Sequence, residues 1–241
     1  VDAGKTTLTE ALLYKSGAID RPGRVDNKDA FLDNYDIERA RGITVFSKQA
    51  VIHYGDVEYT LIDTPGHVDF SAEMERTLQV LDYAILIISA ADGVQAHTRT
   101  LWRLLKRYEI PTFLFVNKMD QTEKEEEELI TNLQDNLDNG CVSFKKQEGE
   151  EFFDTVSMCD EEIMEEFLTT GQIEENHIRK LIVCRKIFPV FFGSALKMQG
   201  IKELLAGIYR FTEEKKYPEA FGARVYKIAR DAQENRLTYL K

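Results

Sequence analysis

The sequence predicts an α/β fold in which a mostly parallel central sheet carries helices on both faces. Residues 84–89, 111–116 and 188–192 form short runs that are apolar almost throughout, as strands covered on both sides are. Segments with helical apolar spacing lie between such runs, the arrangement of parallel strands joined by crossover helices. The chain also opens on Gly4-Lys5-Thr6, a turn that feeds a helical pattern.

That helix is expected over 6–16, with Leu8, Ala11, Leu12 and Leu13 on its apolar side and Gly17 as its stop. Residues 20–42 are polar and carry Pro22, Gly23 and Gly42, so they read as a long loop. Strands at 45–54 and 57–62 flank Gly55-Asp56, which is a hairpin signal. Helices near 68–80 and 97–107 then alternate with the strands at 84–89 and 111–116, and an acidic helix follows Asp120. Residues 139–185 are less regular and read as an insertion with helices at 161–168 and 174–181. The strand 188–192 and a helix at 201–211 close the domain, which is expected to span 1–216. After Tyr217-Pro218 the alternation of Ala223, Val225, Leu237 and Tyr239 reads as a linker and the start of a β-barrel domain over 217–241.

The 241 residues hold 31 basic and 42 acidic side chains, a net charge of -11. Such a balance argues against DNA or any partner held by general phosphate attraction. The acidity is local, however: residues 121–166 contain 16 acidic side chains and three lysines. This segment reads as a solvated helical face turned away from any RNA. Cys141, Cys159 and Cys184 are odd in number and show no C-x-x-C pairing, which fits reduced thiols in a cytoplasmic protein better than disulfides or zinc, and a monomer is expected. No apolar run reaches the length of a membrane span.

Five short motifs carry the chemistry. Asp2, Ala3, Gly4, Lys5, Thr6 and Thr7 lead into the first helix, where backbone N–H groups and the positive helix end suit phosphate oxygens. Lys5 is expected at the β- and γ-phosphates and the Thr6 hydroxyl on Mg²⁺. The full phosphate-loop pattern has one more glycine, which falls before Val1. Asp63 ends an apolar strand and is followed by Thr64-Pro65-Gly66-His67; an acid there can hold Mg²⁺, and Gly66 can bring its N–H to the γ-phosphate. Thr44, in Arg41-Gly42-Ile43-Thr44, can supply a second hydroxyl to the metal.

Asn117-Lys118-Met119-Asp120 follows a buried strand. The Asp120 carboxylate can accept from guanine N1–H and the exocyclic amine, Asn117 can read the ring edge, and the Lys118 stem can lie along the base. Adenine lacks these donors, so such a site discriminates by about 10⁴ or more. Ser194-Ala195-Leu196 completes the pocket, with the Ala195 N–H facing the guanine carbonyl. In this order, the motifs predict a P-loop NTPase domain that binds GTP and GDP with Mg²⁺.

The runs Val1-Asp2-Ala3-Gly4-Lys5-Thr6-Thr7, Glu38 to Thr44, Asp63 to Phe70 and Asp92-Gly93-Val94-Gln95 resemble the translation-factor GTPases. Leu12 to Ile19, and the stretch from Val80-Leu81-Asp82 to Ala96-His97-Thr98-Arg99, are most similar to the tetracycline-resistance ribosomal protection proteins, relatives of elongation factor G. The resemblance implies GTP hydrolysis stimulated by a ribosome partner, with His67 as the catalytic residue that orients water and Lys5 beside it. It implies drug release from the ribosome; translocation by an elongation factor G-like protein and a non-ribosomal regulatory switch are the alternatives.

Overall fold

The computed structural model describes residues 2–23, 48–65, 71–230 and 233–241. Helix α1 (Lys5–Lys15) starts on Gly4. Strands β1 (Lys48–Tyr54) and β2 (Val57–Asp63) form an antiparallel hairpin with Tyr54 opposite Val57 and Lys48 opposite Asp63. Its turn is Gly55-Asp56, as the sequence predicts, with Gly55 at φ +63°. On β1 the buried residues Lys48, Ala50 and Ile52 alternate with exposed ones, the period-two pattern of a strand lying on a core by one face.

Helix α2 (Ser71–Leu78), strand β3 (Ala84–Ser89), helix α3 (Ala96–Arg107) and strand β4 (Thr112–Asn117) follow. After a 3₁₀ turn at Met119–Gln121 come helix α4 (Glu126–Asn136), strand β5 (Cys141–Ser143) and helices α5 (Glu150–Ser157), α6 (Glu161–Thr170) and α7 (Glu175–Val183). Strand β6 (Phe188–Phe192), helix α8 (Ile201–Phe211) and the hairpin β7 (Val225–Arg230) and β8 (Arg236–Leu240) complete the described chain.

The four-stranded sheet runs β3-β4-β6-β5, and each neighbouring pair is parallel. Strand β4 shows why the sheet must be covered twice. Its Phe113 and Phe115 enter a core with Leu8, Leu12, Ile52, Phe144, Phe191 and Phe211. The alternate residues Leu114 and Val116 enter a second core with Leu86, Trp102, Leu129 and Val190. The side-chain period of two sends neighbours to opposite faces, so a strand buried at every position joins two helical layers.

The segment 139–185 is woven into this framework rather than appended to it. Strand β5 forms the edge of the sheet beside β6, and Val142, Phe144, Phe152 and Ile178 fill the first core. Helix α5 is an element that the sequence reading leaves as irregular chain. Helix α6 is capped by Asp160, whose Oδ1 accepts from the N–H groups of Glu162 and Ile163 at 3.0 and 3.3 Å, and it stops at Gly171 in the left-handed region. The acidic side chains Glu127 and Glu128 are exposed, while Leu129 and Leu133 turn inward. No helix among the described residues is long and apolar enough to cross a membrane.

Candidate functional site

Parallel strands bring their carboxyl ends to one edge, and in such sheets ligands bind there. Ser89 at the end of β3 lies level with Asn117 at the end of β4, and Val116 lies level with Phe192 on β6. The chain leaves each strand into a short loop, and the loops are tied together by backbone. The Ala90 N–H donates to the Asn117 carbonyl at 2.8 Å, and the Met119 N–H to the Gly193 carbonyl at 3.1 Å.

Asn117 is buried and joins three segments. Its Nδ2 donates to the Ala3 carbonyl at 2.8 Å, and its Oδ1 accepts from the Ala195 N–H at 2.8 Å. The two bonds fix the orientation of the amide, because a carbonyl requires the donor end and an N–H the acceptor end. Asn117 thus commits one atom at each end of its amide to the protein backbone, and the Ala195 N–H points to Asn117. The reason is burial: with Asn117 at 3% and Ala195 at 0% exposure, unpaired polar atoms would be costly.

The loop before α1 is shaped for close approach. Asp2 and Gly4 both take positive φ, +57° and +88°, and α1 begins immediately after them. A Cβ on Gly4 would stand 2.4 Å from Asn117 Nδ2, so only glycine lets the loop pass under that amide. The first helical bond runs from Leu8 N–H to the Gly4 carbonyl at 2.9 Å; the amides of Lys5, Thr6 and Thr7 precede it and lie at the positive end of the helix.

The Thr6 and Asp63 oxygens expected at a metal also converge. Thr6 Oγ1 donates to Asp63 Oδ2 at 3.4 Å, joining residues 57 positions apart. Both are oxygen donors of the hard type that Mg²⁺ takes alongside phosphate oxygens and water. Lys5, Asp63, Ser89 and Asp92 line one cavity of about 220 Å³ between β2, β3 and α1.

Asp120 is exposed and lies outside the lining of that cavity, on the 3₁₀ turn beyond Lys118, which itself adopts φ +63°. Ser194 is buried, with its N–H on the Gln199 carbonyl at 3.1 Å and its Oγ accepting from Lys197 N–H at 3.3 Å. Leu196 is exposed at 47% beside it. Asp120 and Leu196 are thus exposed, while Asn117 and Ser194, which precede them in sequence, are buried. Thr44, Gly66 and His67 lie outside the described residues.

Two further polar residues serve this edge. Ser89 Oγ accepts from the Asp92 N–H at 3.4 Å and shapes the turn after β3. Glu10, buried on α1, accepts from the Gly23 N–H at 2.9 Å and holds the chain that leaves the helix. The sequence signal for Glu10 is an acid placed among Leu8, Ala11, Leu12 and Leu13, where solvation cannot explain it.

Comparison with known proteins agrees with this geometry. Residues 1–214 match the family model of the elongation factor Tu GTP binding domain. The tetracycline resistance protein TetO of Streptococcus mutans is 37% identical over 261 aligned residues, and TetM of Ureaplasma urealyticum is 36% identical over 258. Each alignment covers all of this chain and 40% of the relative, so the chain spans about two fifths of the relatives' length. A crystal structure of a protein from Thermus thermophilus superimposes with a TM-score of 0.88 at 24% identity, over the whole of this chain and 43% of that one.

Proposed function

Because the chain belongs to the family of elongation factor Tu GTP binding domains, we propose that it is the GTP-hydrolysing domain of a tetracycline-resistance ribosomal protection protein. Its similarity to TetO and TetM over all of this chain supports this reading. The observation that carries the nucleotide site is the Asn117 amide, which clamps the phosphate loop at Ala3 to the base-side loop at Ala195.

The amides of Lys5, Thr6 and Thr7 receive the phosphates, and the Lys5 ammonium meets the β- and γ-phosphate oxygens. Thr6 and Asp63 hold Mg²⁺, with Thr44 as a further ligand. When bound, Mg²⁺ neutralises charge that develops on the phosphate oxygens. Gly66 gives its N–H to the γ-phosphate, and His67 orients the attacking water. Asp120 accepts the two guanine hydrogen bonds, while Lys118, Ser194, Ala195 and Leu196 bound the base. Loss of the γ-phosphate releases the Thr44 and Gly66 contacts, which makes the domain a two-state switch.

The nucleotide domain covers 1–216 and the following residues open a β-barrel. The ribosome is the partner, the cytoplasm the compartment, and the working form a monomer. The test uses the full-length protein. GTP turnover should rise steeply on adding ribosomes, and bound tetracycline should leave the ribosome without translocation of tRNA and mRNA. His67→Ala should keep GDP binding and lose stimulated hydrolysis, whereas Lys5→Ala should lose binding itself. Translocation without drug release would replace this reading by an elongation factor G-like one.

A further inference from the structure

Thr6 and Asp63 belong to different elements, α1 and β2, and their 3.4 Å meeting requires that the two keep one relative position. Helix α8 bears on both. It packs on α1 through the first core, where Leu204, Leu205 and Phe211 join Leu8, Leu12 and Leu13. It also grips the far end of the β1–β2 hairpin, the end away from Asp63.

Tyr209 on α8 makes that grip in three ways. Its Oη donates to Asp56 Oδ1 at 2.8 Å. Its ring meets Tyr54 edge-on, with centroids 5.8 Å apart. Its Cε2 would lie 2.6 Å from a Cβ on Gly55, so the ring fills the space that the glycine leaves. Beside it, the Tyr59 and Thr212 hydroxyls meet at 3.5 Å. The bond to Asp56 also pushes the Tyr209 phenol up from its ordinary value.

We propose that Tyr209 is a positioning residue for Asp63: by latching the Gly55-Asp56 turn to α8, it fixes where the hairpin lies along its own axis and so keeps the carboxylate opposite Thr6. A strand advances about 3.3 Å per residue, so Asp63 is about 20 Å from the turn. A slide of the hairpin by one residue's rise would carry Asp63 roughly 3.3 Å along the strand direction. The hydroxyl and the carboxylate would then part. The latch thus gives the end of the molecule far from the nucleotide a mechanical hold on the metal-side carboxylate.

The proposal rests on Asp63 being a magnesium-side residue, and the experiment separates the two. In the full-length protein, the Mg²⁺ concentration that halves GDP release is measured for wild type, Tyr209→Phe, Gly55→Ala and Asp63→Asn, with GDP affinity in EDTA and backbone hydrogen exchange measured in parallel. Tyr209→Phe keeps the ring and loses the bond to Asp56. It should need about five- to tenfold more Mg²⁺, the scale of one hydrogen bond, and exchange faster at Ile62 and Asp63, with GDP affinity in EDTA unchanged. Gly55→Ala should shift the Mg²⁺ midpoint in the same direction.

A wild-type midpoint in Tyr209→Phe beside a shifted one in Asp63→Asn overturns the latch and leaves the metal reading intact. An unshifted midpoint in Asp63→Asn overturns the metal reading and the latch with it. Faster exchange spread equally through α1 and β4 means general loosening, and overturns the latch as well.

Discussion

The side-chain amide of Asn117 and the peptide carbonyl of Ala3 meet at 2.8 Å across 114 residues of sequence. On its other side the amide accepts from Ala195. Replacing Asn117 by Ala takes this partner from the buried Ala195 N–H and the half-buried Ala3 carbonyl, at about 1–3 kcal/mol each at most. Asn117→Ala should therefore weaken GDP binding by two orders of magnitude or more and lower the thermal midpoint by several degrees. Asn117→Asp keeps the acceptor for Ala195 but faces the Ala3 carbonyl with an oxygen, so it should recover less than half of the loss. Fluorescent-GDP titration and thermal unfolding check both.

Gly4 passes beneath that same amide. Its φ of +88° is strained for an L-residue, and an added methyl would lie 2.4 Å from Asn117 Nδ2. Gly4→Ala should lose nucleotide affinity by more than tenfold, the cost of about 1–2 kcal/mol of left-handed backbone plus displacement of the amide. The double variant Gly4→Ala/Asn117→Ala should be less harmful than the summed single effects, since the clash disappears with the side chain. Additive losses would show that the two residues do not act on each other.

Much of this architecture was legible in the residues themselves. Strand β4 reads as buried on both faces because every residue from Thr112 to Asn117 is, and the Gly55-Asp56 hairpin turns where its glycine says it should. Strand β5 was not legible: three residues, Cys141–Ser143, carry too little periodicity, and their strand character comes from pairing with β6. The motifs located the loops at the sheet edge, but the role of Asn117 as a tie depends on partners 114 and 78 residues away. The latch at Tyr209 is of the same kind, since a tyrosine on an amphipathic helix announces no partner.

Asp120 is exposed on its turn and offers only acceptors to a base. Xanthine carries a carbonyl where guanine carries its exocyclic amine. An amide at this position can donate to that carbonyl, while its remaining oxygen still accepts from the ring N–H. Asp120→Asn should therefore lower GDP affinity by about 10²-fold and raise XDP affinity, in keeping with the loss of a charge-assisted pair of bonds worth about 3 kcal/mol. Competition between the two diphosphates for a fluorescent analogue measures the ratio. Unchanged preference would remove Asp120 from the base site.

The buried Cys141 and half-buried Cys159 should give the fold a falling stability in alkali. Burial, reinforced by the nearby Asp138 charge, pushes the Cys141 thiol up from 9.0 to about 12, and burial likewise pushes Cys159 up to about 11. Both stay protonated in the folded chain while the unfolded chain begins to release protons near pH 9. The folded state therefore binds more protons between pH 9 and 12. Its stability is intact below pH 9 and declines as pH rises, by at most about 1.4 kcal/mol per pH unit for each thiol. Urea midpoints at pH 8 and 10.5 should differ in this direction, and Cys141→Ala should flatten the slope even though the cavity it leaves lowers stability at both pH values. Iodoacetamide at pH 8 should label exposed Cys184 promptly and reach Cys141, at 0% exposure, only on unfolding. Prompt labelling of Cys141 in the folded protein would mean that β5 opens independently of β6, and that the edge of the sheet is not held as its pairing indicates.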